Sequence, residues 1–308
     1  MARASLPTAR IDRMEEKGTF VPELPEVETI RRIVERELIG RTVTRVEVRL
    51  PKLLRGSPIA DTQLLVGRRV IAAKRRAKIL VVGFSGGLSL LIHFKLSGQL
   101  SIHQTSGRRS AAGHPVPDFL GMYPHKTTHA ELQFDDGAVL YYSDVRQFGW
   151  WRLLPSDEVG AVLEAFAFGP EAVGENTLNG VALGARLRRR SIAIKTALLD
   201  QTVVAGLGNI YVDEALHRSK IHPTVAANKL DEGALVRLAE AIPWALERGI
   251  EQGGAKIVHH RAYPIDGFPG VHARESQPCP VCGTEVVKVR VGARGTYFCP
   301  TCQPVEKA

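Results

Sequence analysis

The chain has 308 residues, 44% of them hydrophobic and 24% charged, with 41 Lys plus Arg against 32 Asp plus Glu. That length allows two or three domains, and the absence of any run of ~18–20 apolar residues excludes a membrane-spanning helix. The net charge of +9 suits a polyanionic partner without identifying one.

Residues 1–21 lack an apolar stretch of signal-peptide length, and Asp12, Glu15 and Glu16 argue against an organellar transit peptide. Pro22-Glu23-Leu24-Pro25-Glu26-Val27-Glu28-Thr29 follows. Val27, Ile30, Val34 and Leu38 recur at helical spacing, and Pro25 suits a first helical turn, where its missing N–H costs nothing. Taken alone, this is an acidic, proline-capped helix start. TVTRVEVRL (42–50), RVIAAKRRAKILVVGF (69–84) and LSLLIHF (88–94) read as strands, with Gly86-Gly87 as a hairpin turn. AELQFDDGAVLYYSD (130–144) repeats the device around Asp136-Gly137. Successive short antiparallel strands predict a β-sandwich packed with the first helix. Residues 104–128, rich in Gly, Pro, Ser and His, read as a long exposed loop. LLPSDEVGAVLEAFAFGPEA (153–172) bridges to a helical region from 176 to about 253, with Asn176 or Thr177 capping its first helix and Asp231 its last. Residues 254–278 read as a mobile loop.

Four segments carry chemistry. All four cysteines fall in Cys279-Pro-Val-Cys282 and Cys299-Pro-Thr-Cys302, separated by sixteen residues, which fits a closed four-thiolate zinc site on a β-hairpin. Two disulfides or four free thiols are the other readings. Lys288, Arg290 and Arg294 make the intervening hairpin basic. In GLGNIYVDEALHRSKIHP (206–223), two glycines before Asn209 permit close backbone approach at a helix start, although such a turn can be a simple corner between helices. KRRAKIL (74–80) by itself is an edge strand defended by charge. Arg188-Arg189-Arg190 by itself is a solvated face, and Leu96 and Phe148 by themselves are core residues.

PELPEVETIRR resembles the amino-terminal signature of the formamidopyrimidine-DNA glycosylases, and the likeness runs over residues 22–303. It implies an α+β fold. An N-terminal antiparallel β-sandwich with a leading helix (22–153) is joined by a linker (154–170) to a helical helix-two-turn-helix domain (171–270), with a C-terminal zinc ribbon (271–308). It also implies a bifunctional DNA glycosylase and abasic-site lyase that removes 8-oxoguanine and formamidopyrimidines. Such an enzyme acts as a monomer on damaged double-stranded DNA, in a bacterial cytoplasm at the nucleoid, with one structural Zn²⁺ on Cys279, Cys282, Cys299 and Cys302. By the same resemblance Pro22 is the nucleophile, Glu23 the acid–base group and Glu26 a support for the sugar, with Lys78 beside them. Lys195, Asn209 and Arg294 grip phosphates, while Leu96, Arg146 and Phe148 fill the hole left by the extruded nucleotide.

The residue types suit that chemistry. A secondary amine adding to a sugar carbon forms a positively charged iminium, an electron sink for eliminating phosphates. Pro22 must then have a free nitrogen, which Val21 blocks in the sequence as written. The working protein is therefore expected to begin at Pro22, with translation starting at position 21 from a GTG codon. Three departures stand out. Leu96 replaces a usual Met, a volume-conserving change. Gln147 replaces a frequent Arg, and AYPIDGFPGVHARESQPC follows the family pattern loosely. The alternatives are an endonuclease VIII-like enzyme for oxidised pyrimidines, disfavoured by the PELPEVE rather than PEGPE start, and a non-catalytic DNA-binding protein with a blocked Pro22. A zinc-ribbon transcription or replication accessory factor is the third.

Overall fold

The computed structural model describes residues 22–114, 121–174, 178–255, 257–258, 261–262 and 267–305. The leader, and with it the expected start at position 21, lies outside the described residues. So do Asn176 and Thr177, the expected caps.

Helix α1 (Leu24–Leu38) begins where Pro25 and the acidic turn predict. The Glu23 N–H donates to the Glu26 carboxylate at 2.9 Å, closing the first turn. Val27, Ile30, Val34 and Leu38 are fully buried between two antiparallel sheets, each contributing about 1.5–3 kcal/mol of apolar burial. The strands are β1 (Val43–Val48), β2 (Val70–Arg76), β3 (Ile79–Phe84), β4 (Leu88–His93), β5 (Gly98–His103), β6 (Arg109–Gly113), β7 (Thr128–Phe134), β8 (Val139–Asp144) and β9 (Trp150–Pro155). One sheet has the order β1-β7-β8-β5-β6 and the other β2-β3-β4-β9. The outer face of β3 and β4 buries Ile79, Val81 and Leu91 under Phe166, Phe168 and α2 (Val159–Glu164).

The helical region holds α3 (Gly180–Leu187), α4 (Ile194–Leu199), α5 (Asn209–Ser219) and α6 (Glu232–Glu251) around Leu183, Leu198, Tyr211, Leu216, Leu238 and Ile242. Leu24 packs into this second core, whereas Val27, one turn further on, packs into the first. The head of α1 therefore belongs to both lobes. Two short strands follow, β10 (Ile257–Val258) and β11 (Arg261–Ala262), and then the ribbon β12 (Val287–Val291) and β13 (Arg294–Phe298). No helix among the described residues is long and apolar enough to cross a membrane.

Several expectations are revised. The run 69–84 is two strands, joined by a two-residue turn at Ala77-Lys78 with Arg76 opposite Ile79. Ala77 takes φ 50, a conformation usually left to Gly or Asn, so no turn signal marks it. Within 104–128, Arg109–Gly113 forms β6 and pairs with β5. The cap of α3 is Asn179, whose side chain accepts from the Ala182 N–H; the cap of α6 is Asp231, as expected. The end of 254–278 is packed rather than loose: Val271, His272, Ala273 and Arg274 are buried. The Arg274 guanidinium donates to the carbonyls of Pro269 and Gly267, at 2.5 and 2.8 Å.

Candidate active site

The two lobes meet at the head of α1. The Glu23 side chain lies at the N-terminus of α5, where Oε1 accepts from the Ile210 N–H at 3.1 Å. Gly208 makes this approach possible, because a Cβ there would overlap the Glu23 carboxylate. The glycines before Asn209 thus admit a side chain from the other lobe. Glu26 is held more completely. Its Oε1 accepts from the Tyr211 hydroxyl and from the Ala255 N–H, each at 2.8 Å, and its Oε2 from the Glu23 N–H. Glu23 Oε2 is buried with no partner among the described residues.

The electrostatics follow from this burial. Removal from water pushes Glu23 up from 4.5 to about 7, against the attraction of Lys78 and with help from the Glu26 charge. Burial likewise raises Glu26, although its hydrogen bonds oppose the shift. Lys78, half-buried on the β2–β3 turn, has its amine pushed down by burial, which Glu23 and Glu26 offset. A carboxyl group near neutrality can give a proton and take it back at working pH.

The turn bearing Lys78 is itself clasped. Glu171, at the end of the bridge between lobes, accepts from the Ala77 N–H at 2.7 Å, from Arg75 at 2.6 Å and from Arg76 at 2.5 Å. These bonds hold the strained Ala77 and fix the approach of Lys78.

Lys195 and Asn209 both reach the ribbon. Lys195 is fully buried on α4, donating to Asp213 Oδ1 at 2.7 Å and to the Gly295 carbonyl at 3.1 Å. Asn209 donates to the same carbonyl at 3.0 Å. Asp213 also accepts from His272 Nδ1 at 2.7 Å and from the Tyr297 N–H at 3.2 Å, fastening the ribbon to α5. Arg294, beside Gly295, is exposed, and its charge is felt by both Lys78 and Lys195. Glu23, Glu26, Lys78, Lys195, Asn209 and Arg294 therefore converge from five elements: the head of α1, the β2–β3 turn, α4, α5 and β13. Arg188 and Arg189 are exposed on the surface, and Arg190 pairs with Asp200 at 2.6 Å.

Leu96, Arg146 and Phe148 form a separate group on two neighbouring loops of the sandwich. Leu96 is half-buried after β4, and Phe148 is 53% exposed after β8, so Phe148 is no core residue. The Arg146 guanidinium lies over the Phe148 ring, 5.2 Å from its centroid.

The four cysteine sulfurs lie within 4.8 Å of one another, with Cys282–Cys299 at 3.4 Å and Cys279–Cys302 at 3.9 Å. A disulfide needs about 2.05 Å, and four thiolates at ~2.3 Å around one tetrahedral ion sit about 3.8 Å apart. The geometry fits one structural metal and rules out two disulfides. His217 Nε2, from α5, lies 3.3 Å from Cys279 Sγ.

The residues not read from the sequence are Tyr211, Ala255, Asp213, Glu171, Asp144 and His217. Each is a polar or backbone group whose partner comes from another element, and only Asp144-Val-Arg carried a local signal, a side chain able to bond the N–H two residues on.

A β-sandwich and a helical lobe that join at an acidic helix head, with a four-cysteine ribbon docked beside it, define a class of nucleic-acid-processing protein. Residues 21–151 match the formamidopyrimidine-DNA glycosylase N-terminal domain, residues 168–260 the formamidopyrimidine-DNA glycosylase H2TH domain, and residues 276–305 the zinc finger found in FPG and IleRS. The formamidopyrimidine-DNA glycosylase of Pelotomaculum thermopropionicum is 37% identical over 292 residues, covering 93% of this chain and 100% of the relative. That of Streptococcus thermophilus is 38% identical over 288 residues, covering 92% and 99%. Among solved structures, the Lactococcus lactis Fpg in complex with an abasic site containing DNA has a TM-score of 0.79 at 32% identity, covering 92% of this chain and 100% of that one. The complex of the same protein with a Fapy-dG containing DNA gives the same values. The chain belongs to the formamidopyrimidine-DNA glycosylase family, a family of DNA-repair glycosylases.

Proposed function

We propose that this protein is a bifunctional glycosylase and abasic-site lyase for oxidised purines, 8-oxoguanine and formamidopyrimidines, working as a monomer on damaged duplex DNA in the bacterial cytoplasm. The observation that carries the reading is the buried Glu23–Glu26 pair at the head of α1, adjacent to Pro22, with one Glu23 oxygen unpartnered among the described residues. Relatives seen with Fapy-dG and abasic-site DNA support the substrate class.

In this mechanism the neutral Pro22 nitrogen attacks C1′ of the extruded nucleotide, and the base leaves with the bonding electrons and takes up the proton that the Pro22 nitrogen releases. Glu23 in its acid form protonates the sugar ring oxygen, opening the ring to an iminium between Pro22 and C1′. Loss of a C2′ proton expels the 3′ phosphate, and a second elimination expels the 5′ phosphate. Glu26, held by Tyr211 and Ala255, orients Glu23 and faces the sugar. Lys78 balances the two acids and approaches the phosphate. Arg294, exposed on the ribbon turn, grips the backbone, and Lys195 and Asn209, bonded to the Gly295 carbonyl, hold that turn and reach a phosphate only once DNA displaces those bonds; such contacts give affinity and register without sequence information. Leu96, Arg146 and Phe148 occupy the vacated stack. Cys279, Cys282, Cys299 and Cys302 would hold zinc, which with four thiolate ligands would maintain the ribbon's shape rather than take part in the chemistry.

Borohydride present during incubation with 8-oxoguanine duplex should weld the protein to DNA, provided that mass analysis finds Pro22 at its N-terminus. Protein bearing free Pro22 that binds the lesion without becoming trapped would leave only a damaged-DNA binder. Parallel excision from duplexes bearing oxidised pyrimidines separates the purine reading from an endonuclease VIII-like one.

A further inference from the structure

We propose that Asp144 is the positioning residue that holds Leu96, Arg146 and Phe148 in a single array. The inference rests on the reading above that these three side chains fill the vacated stack. Asp144 ends β8 opposite Gly98, the first residue of β5, so the loop carrying Leu96 and the loop carrying Arg146 and Phe148 leave the sheet at one rung. Its carboxylate is 1% exposed, and a buried carboxylate is costly unless its oxygens are bonded.

Here they are bonded to both loops. Oδ1 accepts a short bond from the Ser97 hydroxyl, on the Leu96 side, and one from the Arg146 N–H at 3.2 Å. Oδ2 accepts from the Gly149 N–H at 2.8 Å and faces the Tyr142 hydroxyl at 3.4 Å. Ser97 closes the ring by accepting from the Arg146 N–H at 2.8 Å. The Asp144 carbonyl in turn meets His129 Nε2 at 2.8 Å and the Gln147 N–H at 3.2 Å.

The clasp opposes strain. Gln147, between Arg146 and Phe148, sits at φ 56, a left-handed conformation that is strained for such a residue and persists only where its surroundings fix it. Gly149 completes the turn because a Cβ there would overlap the Tyr142 hydroxyl and lie 3.0 Å from Asp144 Oδ2. Asp144 therefore orders both loops through fixed bonds, without itself reaching the surface. Asn at this position would turn one acceptor into a donor facing the donors that now bond it.

The test compares Asp144→Asn and the milder Ser97→Ala with the parent, each bearing a free Pro22 and shown by thermal unfolding to be folded. Three readouts are taken. They are single-turnover excision of 8-oxoguanine from duplex, borohydride trapping on a single-stranded abasic oligonucleotide, which has no hole to fill, and fluorescence of 2-aminopurine opposite an abasic-site analogue. Duplex excision should fall about 10²-fold in Asp144→Asn, the scale of an ångström misplacement, and single-strand trapping at least tenfold less than that. The binding-induced fluorescence change should shrink in Asp144→Asn, and in Ser97→Ala in the same direction. A competent parent whose folded Asp144→Asn variant loses both substrates equally, or neither, overturns this inference alone. A parent that traps on neither substrate sinks the enzyme reading, and this inference with it.

Discussion

Replacing Gly208 with Ala adds one methyl group where the two lobes touch. The backbone there, φ −136 and ψ −167, is open to any residue, so the outcome depends on space alone. The new Cβ would overlap the Glu23 carboxyl carbon and both oxygens. Glu23 is 2% exposed and bonded to the Ile210 N–H, and its neighbour Leu24 packs against Gly206, so the carboxylate has no nearby refuge. Overpacking of this kind costs about 1–3 kcal/mol, which for a chain of this size lowers Tm by about 2–4 °C per kcal/mol, or roughly 2–12 °C. If the carboxylate retreats by about 1 Å, excision should slow by about 10²-fold. Single-turnover excision with free Pro22, beside a thermal melt, reads both quantities. Gly208→Ala protein with parental rate and parental Tm would refute the placement of Glu23 at the α5 terminus.

Two further outcomes follow from the same site. Glu23 at about pKa 7 keeps its proton below that pH and sheds it above, so excision should decline on the alkaline side of about pH 7. Its folded pKa lies above the unfolded 4.5, so the folded chain binds this proton more tightly and the parent loses stability as pH rises from about 4.5 to about 7. Glu23→Gln, which stays neutral, should gain in relative stability between about pH 5 and pH 8 by denaturant titration; a constant difference would contradict the raised pKa. For the ribbon, His217→Phe removes the imidazole that lies 3.3 Å from Cys279 Sγ and should release zinc to a colorimetric chelator roughly tenfold faster, in line with the 10–100-fold weight of groups that orient metal ligands. Unchanged release would show that His217 merely packs there.

The parts of this fold that could be read in advance are those with a local physical signature. Helical spacing at Val27, Ile30, Val34 and Leu38 gave α1, Asp136-Gly137 and Gly86-Gly87 gave two hairpins, and cysteine spacing gave the metal site, because each is settled within a few residues. The turn at Ala77-Lys78 was hidden because Ala carries no signal for a positive φ and the Glu171 carboxylate that bonds its N–H lies far along the chain. The packing of residues 267–278 was hidden for a related reason: Arg274 looks like a surface charge until the carbonyls that enclose it are seen. At the candidate site the acids themselves were legible, but not what holds them. Tyr211, Ala255 and Ile210 lie 185 or more residues away along the chain, and no periodicity announces a bond of that reach.

The double membership of the head of α1 has an implication for how the polypeptide could be divided. Cut after β9, the amino-terminal piece would retain the apolar residues that bury Val27 and Ile30, and so the means to fold by itself. Its two acids would keep only the bond from the Glu23 N–H to Glu26, since the Ile210, Tyr211 and Ala255 groups that hold them from outside all reside on the severed portion. On the proposed mechanism, chemical competence is thus a property of the joint between the halves, and neither half could inherit it.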